Sequence, residues 1–142
     1  MNSPKNIDSD LTPSSAKAIS TRSAPAPVGP YNQAVLAGDW LYCSGQIALD
    51  PTSGLMVGQG NIQEETHQVL SNLKAVLNAA GAKPSQVVRT TIYLIDLKDF
   101  QEVNAIYAKT FEAGTSPARA CVEVTALPKG GRVEIDCIAW MG

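Results

Sequence analysis

Arginine and carboxylates alternate with small apolar residues in two short segments near the C-terminus. The first is Pro117-Ala118-Arg119-Ala120-Cys121-Val122-Glu123-Val124, and Gly131-Arg132-Val133-Glu134-Ile135-Asp136 follows shortly after. Strand periodicity puts Arg119, Cys121 and Glu123 on one face of the first segment and Ala118, Ala120, Val122 and Val124 on the other. Two readings fit an arginine set among small residues directly after a proline. It lines a pocket, where a guanidinium captures a carboxylate at two points, or it pairs across strands with Glu123 or Glu134. The carboxylates Glu123, Glu134 and Asp136 are candidate acid–base groups. Tyr31, Ser44 and Asn104 are candidate polar contributors. This set suits a small carboxylate-bearing substrate and a water molecule, and it contains no evident covalent nucleophile.

Other chemistries find less support. The chain has one histidine, His67, which sits away from the apolar stripe of its helix and reads as a surface residue. A Ser-His-Asp or Cys-His arrangement would have to use it, and a histidine metal site would lack a second imidazole. Gly54, Gly58 and Gly60 are irregularly spaced and do not follow a strand into a helix, so they make a poor phosphate cradle. The three cysteines, Cys43, Cys121 and Cys137, are odd in number and widely spaced. That argues against a disulfide framework or a structural zinc site and for a reducing compartment. Each lies in a strand-like run, where a buried small hydrophobe is the default role.

At 142 residues the chain makes one domain, and 44% apolar with 17% charged residues describes an ordinary globular composition. Net charge is −2 and the cationic residues are scattered, which argues against nucleic acid as the main partner. No apolar run approaches membrane-spanning length. Residues Met1 to Ser15 are rich in Ser, Pro, Asn and Asp and read as a disordered tail ahead of a single domain over residues 16–142. That tail holds Asp8 and Asp10 and no arginine, so organelle import is a minority reading and a cytoplasmic location is expected.

The elements that must position these residues follow from patterning. A short strand is expected over Lys17–Ser20. The Ala24–Pro30 run carries three prolines and forms an extended loop that delivers Tyr31. Strands Asn32–Ala37 and Trp40–Ser44 join at Gly38-Asp39 as a hairpin, and Asp50–Gly60 has turn chemistry throughout. Asn61 caps a helix that ends before Gly81, with Ile62, Val69, Leu70, Leu73, Val76, Leu77 and Ala80 as its apolar stripe. A strand over Gln86–Ile95 leads to a second helix, Leu97–Glu112, capped by Asp96 and buried through Phe100, Val103, Tyr107 and Phe111. Asn104 lies at the edge of that stripe. It looks into a cavity or ties down a neighbouring loop. Two helices cannot cover both faces of a sheet of about six strands, so they pack on one face. The other, apolar on several strands, predicts self-association into a closed ring with pockets between subunits.

Several ordered motifs then carry a resemblance. Gly29-Pro30-Tyr31, Cys43-Ser44-Gly45-Gln46-Ile47, Asp50-Pro51, Asn72-Leu73 and Val103-Asn104 are among them. Pro117-Ala118-Arg119, Cys121-Val122-Glu123-Val124, Leu127-Pro128-Lys129-Gly130 and Val133-Glu134-Ile135 complete the set. In order and spacing they resemble the RidA (YjgF) family of reactive-intermediate imine deaminases, from about Lys17 to the C-terminus. The resemblance implies an α+β, chorismate-mutase-like fold and a homotrimer with active sites in the clefts between subunits. It implies hydrolysis of enamine/imine intermediates such as 2-aminoacrylate, in its 2-iminopropanoate form, and 2-iminobutanoate, to 2-oxo acids and ammonia, without cofactor or metal. By match, Arg119 binds the substrate carboxylate and Glu134 positions or activates water. Cys121 is the pocket cysteine, and Tyr31, Ser44, Gly45 and Asn104 line the pocket. Many relatives carry an aromatic directly before Pro-Ala-Arg where this chain has Ser116, a departure that bears on substrate size. Members of the family are also described as translation-inhibiting endoribonucleases and as holdase chaperones, and a sensor of 2-oxo acids is a further alternative. The presence of Arg119 favours the deaminase.

Overall fold

The computed structural model describes residues 16–142, and the expected tail lies outside the described residues. Eight regular elements follow in the order β1 (Lys17–Ile19), β2 (Ala34–Ala37), β3 (Trp40–Gln46), α1 (Ile62–Ala79), β4 (Val87–Leu94), α2 (Phe100–Thr110), β5 (Ala118–Glu123) and β6 (Val133–Trp140). The six strands form one sheet in the order β1-β2-β3-β6-β4-β5. All pairs are antiparallel except β4 with β5, which α2 joins as a parallel crossover. The architecture is the α+β sheet with two helices expected from patterning.

Local signals explain the boundaries. The β2–β3 hairpin turns at Gly38, whose φ of 60° suits a residue without Cβ. Asn61 Oδ1 accepts from the amides of Gln63 and Glu64, each at 3.1 Å, and Glu64 and Glu65 occupy the first turn near the positive end of α1. The second helix starts later and ends earlier than the Leu97–Glu112 expected. Leu97–Asp99 winds as a 3-10 turn, and Asp96 caps that turn through the Lys98 amide at 2.9 Å. The last strand is longer than its charged segment and continues through Cys137 to Trp140, while Asn32 and Gln33 fall outside β2. Gln33 is buried for a reason: its amide donates to the carbonyls of Thr21, Ala24 and Pro25 and accepts from the Thr21 amide, pinning the proline loop.

Both helices lie on one sheet face. Val69, Leu73, Val76 and Leu77 of α1 and Val103 of α2 are fully buried with Leu41, Ile92, Leu94, Val133 and Ile135 of the sheet. Each such side chain contributes about 1.5–3 kcal/mol through removal from water. The opposite face carries Tyr42 and Trp140, each 49% exposed, with Trp40, Val122 and Ile138 on the same side. This is the uncovered apolar face that patterning called for.

Candidate active site

Register decides where each candidate side chain points. Thr90 pairs with Arg119 and Ile92 with Cys121, and Thr90 and Ile92 are buried beneath the helices. Arg119, Cys121 and Glu123 therefore share the helix side, as alternation requires, and the small row Ala118, Ala120 and Val122 takes the open face. That inverts the usual apolar-inward rule. The reason is position: β5 is the edge strand, so its helix-side row runs along the flank of α2.

Arg119 is held on that flank from three directions. Its Nη1 donates to Asn104 Oδ1 at 2.6 Å, and its guanidinium carbon lies 5.0 Å from the Tyr107 ring centre and 5.4 Å from that of Phe100. Tyr107 is fixed in turn by a 2.6 Å hydrogen bond between its hydroxyl and Thr90 Oγ1. The cross-strand pairing offered as an alternative does not occur. Glu123 Oε1 instead accepts from the Leu97 amide at 3.0 Å, and Arg119 makes no ion pair among the described residues. Asn104 gives its carbonyl oxygen to Arg119 and not to a neighbouring loop. A cavity of about 600 Å³ opens here, lined by Asn104, Tyr107, Phe111, Ser116, Pro117 and Arg119 among others. Cys121 follows Arg119 by two residues and is half-buried. Burial raises its thiol pKa and the nearby Arg119 offsets this only partly, so it stays a protonated thiol at neutral pH.

Glu134 belongs to the other face. On β6 the residues Val133, Ile135, Cys137 and Ala139 are buried under the helices, which turns Glu134 and Asp136 to the open side. Burial raises the Glu134 pKa above the usual carboxylate value, and the Asp136 charge raises it further. Tyr93 donates its hydroxyl to Asp136 Oδ2 at 3.0 Å. The pairing of β3 with β6 shifts register between Cys43 and Gln46, so Gly45 lies against Glu134, and a Cβ at Gly45 would collide with the Glu134 carboxylate. Ser44 Oγ donates to the Asn32 carbonyl at 2.6 Å and so fastens the chain beside the exposed Tyr31, whose hydroxyl accepts from the Val28 amide at 3.3 Å.

The candidates thus fall into two clusters. Arg119, Asn104 and Cys121 gather on the flank of α2, whereas Glu134, Gly45 and Ser44 gather on the open face, and the sheet separates them within one chain. Residues that sequence reasoning missed hold the two clusters in place. Arg132 pairs with Asp99 at 2.7 Å and donates to the Gly60 carbonyl at 3.1 Å, while its backbone amide donates to the buried Glu65 Oε1 at 2.9 Å. This clamp joins the start of β6 to the starts of both helices. A glutamate inside the buried stripe of α1 was its only visible signal. The aromatic bed under Arg119 had one too: Tyr107 and Asn104 are neighbours at helical spacing. Exposed His67 is a surface residue, as expected. Among the described residues no group of three His, Cys, Asp or Glu converges as metal ligands would, and no helix is long and apolar enough to cross a membrane.

Residues 21–141 match the family model described as Endoribonuclease L-PSP. The RutC family protein slr0709 of Synechocystis is 54% identical over 123 residues, which cover 87% of this chain and 95% of that protein. The 2-iminobutanoate/2-iminopropanoate deaminase of Mus musculus is 52% identical over 126 residues, covering 89% of this chain and 92% of the mouse protein. The crystal structure of the YjgF gene product of E. coli superimposes with a TM-score of 0.84 at 41% identity, over 89% of this chain and 99% of that one. With nearly the whole described chain matched in sequence and in fold, the protein belongs to the RidA (YjgF) family, the family of the Endoribonuclease L-PSP model.

Proposed function

We propose that the chain hydrolyses reactive 2-imino acids, 2-iminopropanoate (the tautomer of 2-aminoacrylate) and 2-iminobutanoate, to 2-oxo acids and ammonia. The observation that carries this reading is Arg119. It is a half-buried guanidinium fixed by Asn104 and two rings at a cavity, with donors left over for a two-point bond to a carboxylate. The name of the mouse relative supports the same chemistry.

The iminium carbon is already electrophilic, so the protein's work is to orient the substrate, hold a water and move protons. Arg119 fixes the carboxylate and thereby the plane of the C=N bond. Glu134, with its raised pKa, accepts a hydrogen bond from the attacking water and takes its proton as the C–O bond forms. The π electrons of C=N move to nitrogen, which gains a proton and gives a carbinolamine. Collapse then passes the hydroxyl proton to the amine nitrogen, breaks the C–N bond, forms the C=O bond and releases ammonia. The sum is one imine and one water consumed per 2-oxo acid and ammonia formed. Cys121, kept as a thiol, shapes the pocket beside Arg119 and is not a nucleophile in this scheme.

A water held by Glu134 cannot reach a carboxylate on Arg119 of the same chain, because the sheet lies between them. We therefore place each site between two copies, in a homotrimer that covers the exposed face of Tyr42, Val122 and Trp140. Arg119 of one copy then meets Glu134, Tyr31, Ser44 and Gly45 of the next. Three free thiols suit the reducing cytoplasm.

The test generates 2-iminopropanoate in situ with an amino-acid oxidase and traps it with semicarbazide. Wild type should divert the imine from the trap, and Arg119→Ala should lose at least about 100-fold in kcat/KM, the equivalent of two charge-assisted hydrogen bonds. No diversion by wild type, or full diversion by a folded Arg119→Ala, would overturn the proposal.

A further inference from the structure

Two of the three thiols face each other across a strand pair. Cys43 of β3 is the register partner of Cys137 of β6, and both side chains are buried on the helix side of the sheet. They lie in the core, away from the open face. The Cys43 side chain is the largest cause of a raised pKa at Cys137, ahead of burial, which marks the two sulfurs as near neighbours. Directly opposed residues of an antiparallel pair have Cα atoms about 4.5 or 5.5 Å apart, and disulfides span about 4.4–6.8 Å. The backbone therefore already holds these cysteines, both free thiols, at bonding range. Cys121 is set opposite Ile92 instead. The pair also borders the irregular stretch of the sheet. From Cys43 to Gln46, β3 advances three residues while β6 covers two, from Cys137 to Ile135. The extra residue is the bulge that sets Gly45 against the Glu134 carboxylate.

We propose that Cys43 and Cys137 are an oxidation site for a hydroperoxide, closing to a disulfide that draws β3 onto β6 beside the bulge and moves Glu134 off its seat. The effect on Glu134 rests on the imine-hydrolase reading, whereas the disulfide does not. Cys43, 6% exposed against 2% for Cys137, meets the oxidant first. Its sulfur attacks the O–O bond and takes one oxygen as a sulfenic acid, the thiol proton leaving with the released water or alcohol. The Cys137 sulfur then displaces that oxygen. The S–S bond forms, the S–O bond breaks, and hydroxide departs as water with the second thiol proton. Two electrons thus pass from the two sulfurs to one hydroperoxide. A disulfide places Cβ atoms about 3.8 Å apart, against about 4.5–5.5 Å in an ordinary cross-strand pair, so the strands close by about 1 Å.

The test treats the folded chain with hydrogen peroxide, alkylates it and digests it with trypsin without reductant. The expected product joins peptide 23–74, which holds Cys43, to peptide 133–142, which holds Cys137, while Cys121 stays apart in peptide 120–129. The link should vanish on reduction with dithiothreitol and be absent from Cys43→Ala and Cys137→Ala. Hydrolysis of 2-iminopropanoate should fall at least about tenfold in oxidised wild type relative to Cys43→Ala given the same peroxide, which keeps Cys121 as an internal control, and should return on reduction. Free Cys43 and Cys137 at a dose that fully oxidises Cys121, or a link that forms only in chain unfolded by urea, overturns the site. A link with unchanged hydrolysis overturns its tie to Glu134. If untreated wild type hydrolyses no imine, the proposed function and that tie fall, and the peptides still decide the oxidation site.

Discussion

Gly45→Ala is the smallest change that should disable the proposed chemistry while sparing the fold. A Cβ at this position would lie 2.9 Å from the Glu134 carboxyl carbon and 3.1 Å from its Cγ, and closer still to one carboxylate oxygen. Carbon atoms in contact sit about 3.5–4.0 Å apart, so the carboxylate must withdraw by about 1 Å. The Gly45 backbone is outside the left-handed region, so alanine adds no backbone strain. The stability cost is then that of an off-rotamer glutamate, about 0.5–1.5 kcal/mol. The catalytic cost is larger, because a misplacement of about 1 Å in a reacting group lowers rates about 100-fold. Imine-trapping kinetics with 2-iminopropanoate, paired with a thermal melt, separate the two effects. Wild-type kcat/KM in Gly45→Ala would refute the claim that Glu134 must hold water at that place.

Further outcomes follow from the same contacts. If Glu134 accepts the proton of water, kcat/KM should fall as pH drops through a value above the ordinary 4.5, and Asp136→Asn should move that limb down by removing the charge that raises it. The pH–rate profile checks both. The stability effect has the opposite sense. Between 4.5 and the raised value the folded chain binds more protons at Glu134 than the unfolded chain, so stability falls as pH rises through that window. Glu134→Gln should therefore flatten the denaturant midpoint against pH there. Arg132→Ala breaks the tie among β6, Asp99 and Gly60, and leaves Asp99, whose side chain is only 13% exposed, without its partner. A loss of about 1–3 kcal/mol in urea unfolding is expected, and no loss would show the clamp to be incidental. Tyr42→Glu places a charge on the open face and should shift the proposed trimer toward monomer in sedimentation, with imine hydrolysis lost in parallel. An active monomer would contradict a shared site.

Much of this was legible in the chain because local chemistry and global fold agree. The Asn61 cap, the stripe of α1 and the glycine turn after β2 each depend on near neighbours, and each stands where patterning put it. The shared face of Arg119, Cys121 and Glu123 was equally secure, since alternation within a strand needs no knowledge of its partners. Which face that was could not be read locally. It depends on β5 lying at the edge beside β4, and the separation of Arg119 from Glu134 depends on where β6 inserts in the sheet. The contact of Glu123 was illegible for the same reason, because its partner Leu97 is distant in sequence. The start of α2 slipped because Asp96 is an equally good cap for a single 3-10 turn. Gly45 was included only through resemblance, and its physical role as clearance for Glu134 required the irregular pairing of β3 with β6.

The central claim is that catalysis needs Arg119 from one copy and Glu134 from another. It is tested most directly by mixing two inactive variants, Arg119→Ala and Glu134→Gln, refolding them together at equal amounts and measuring imine hydrolysis. Random assembly leaves about a quarter of the sites between copies with both groups intact, so about a quarter of wild-type activity should return from two inactive parents. A mixture as inactive as either parent, in trimers shown to have exchanged subunits, would contradict the shared site.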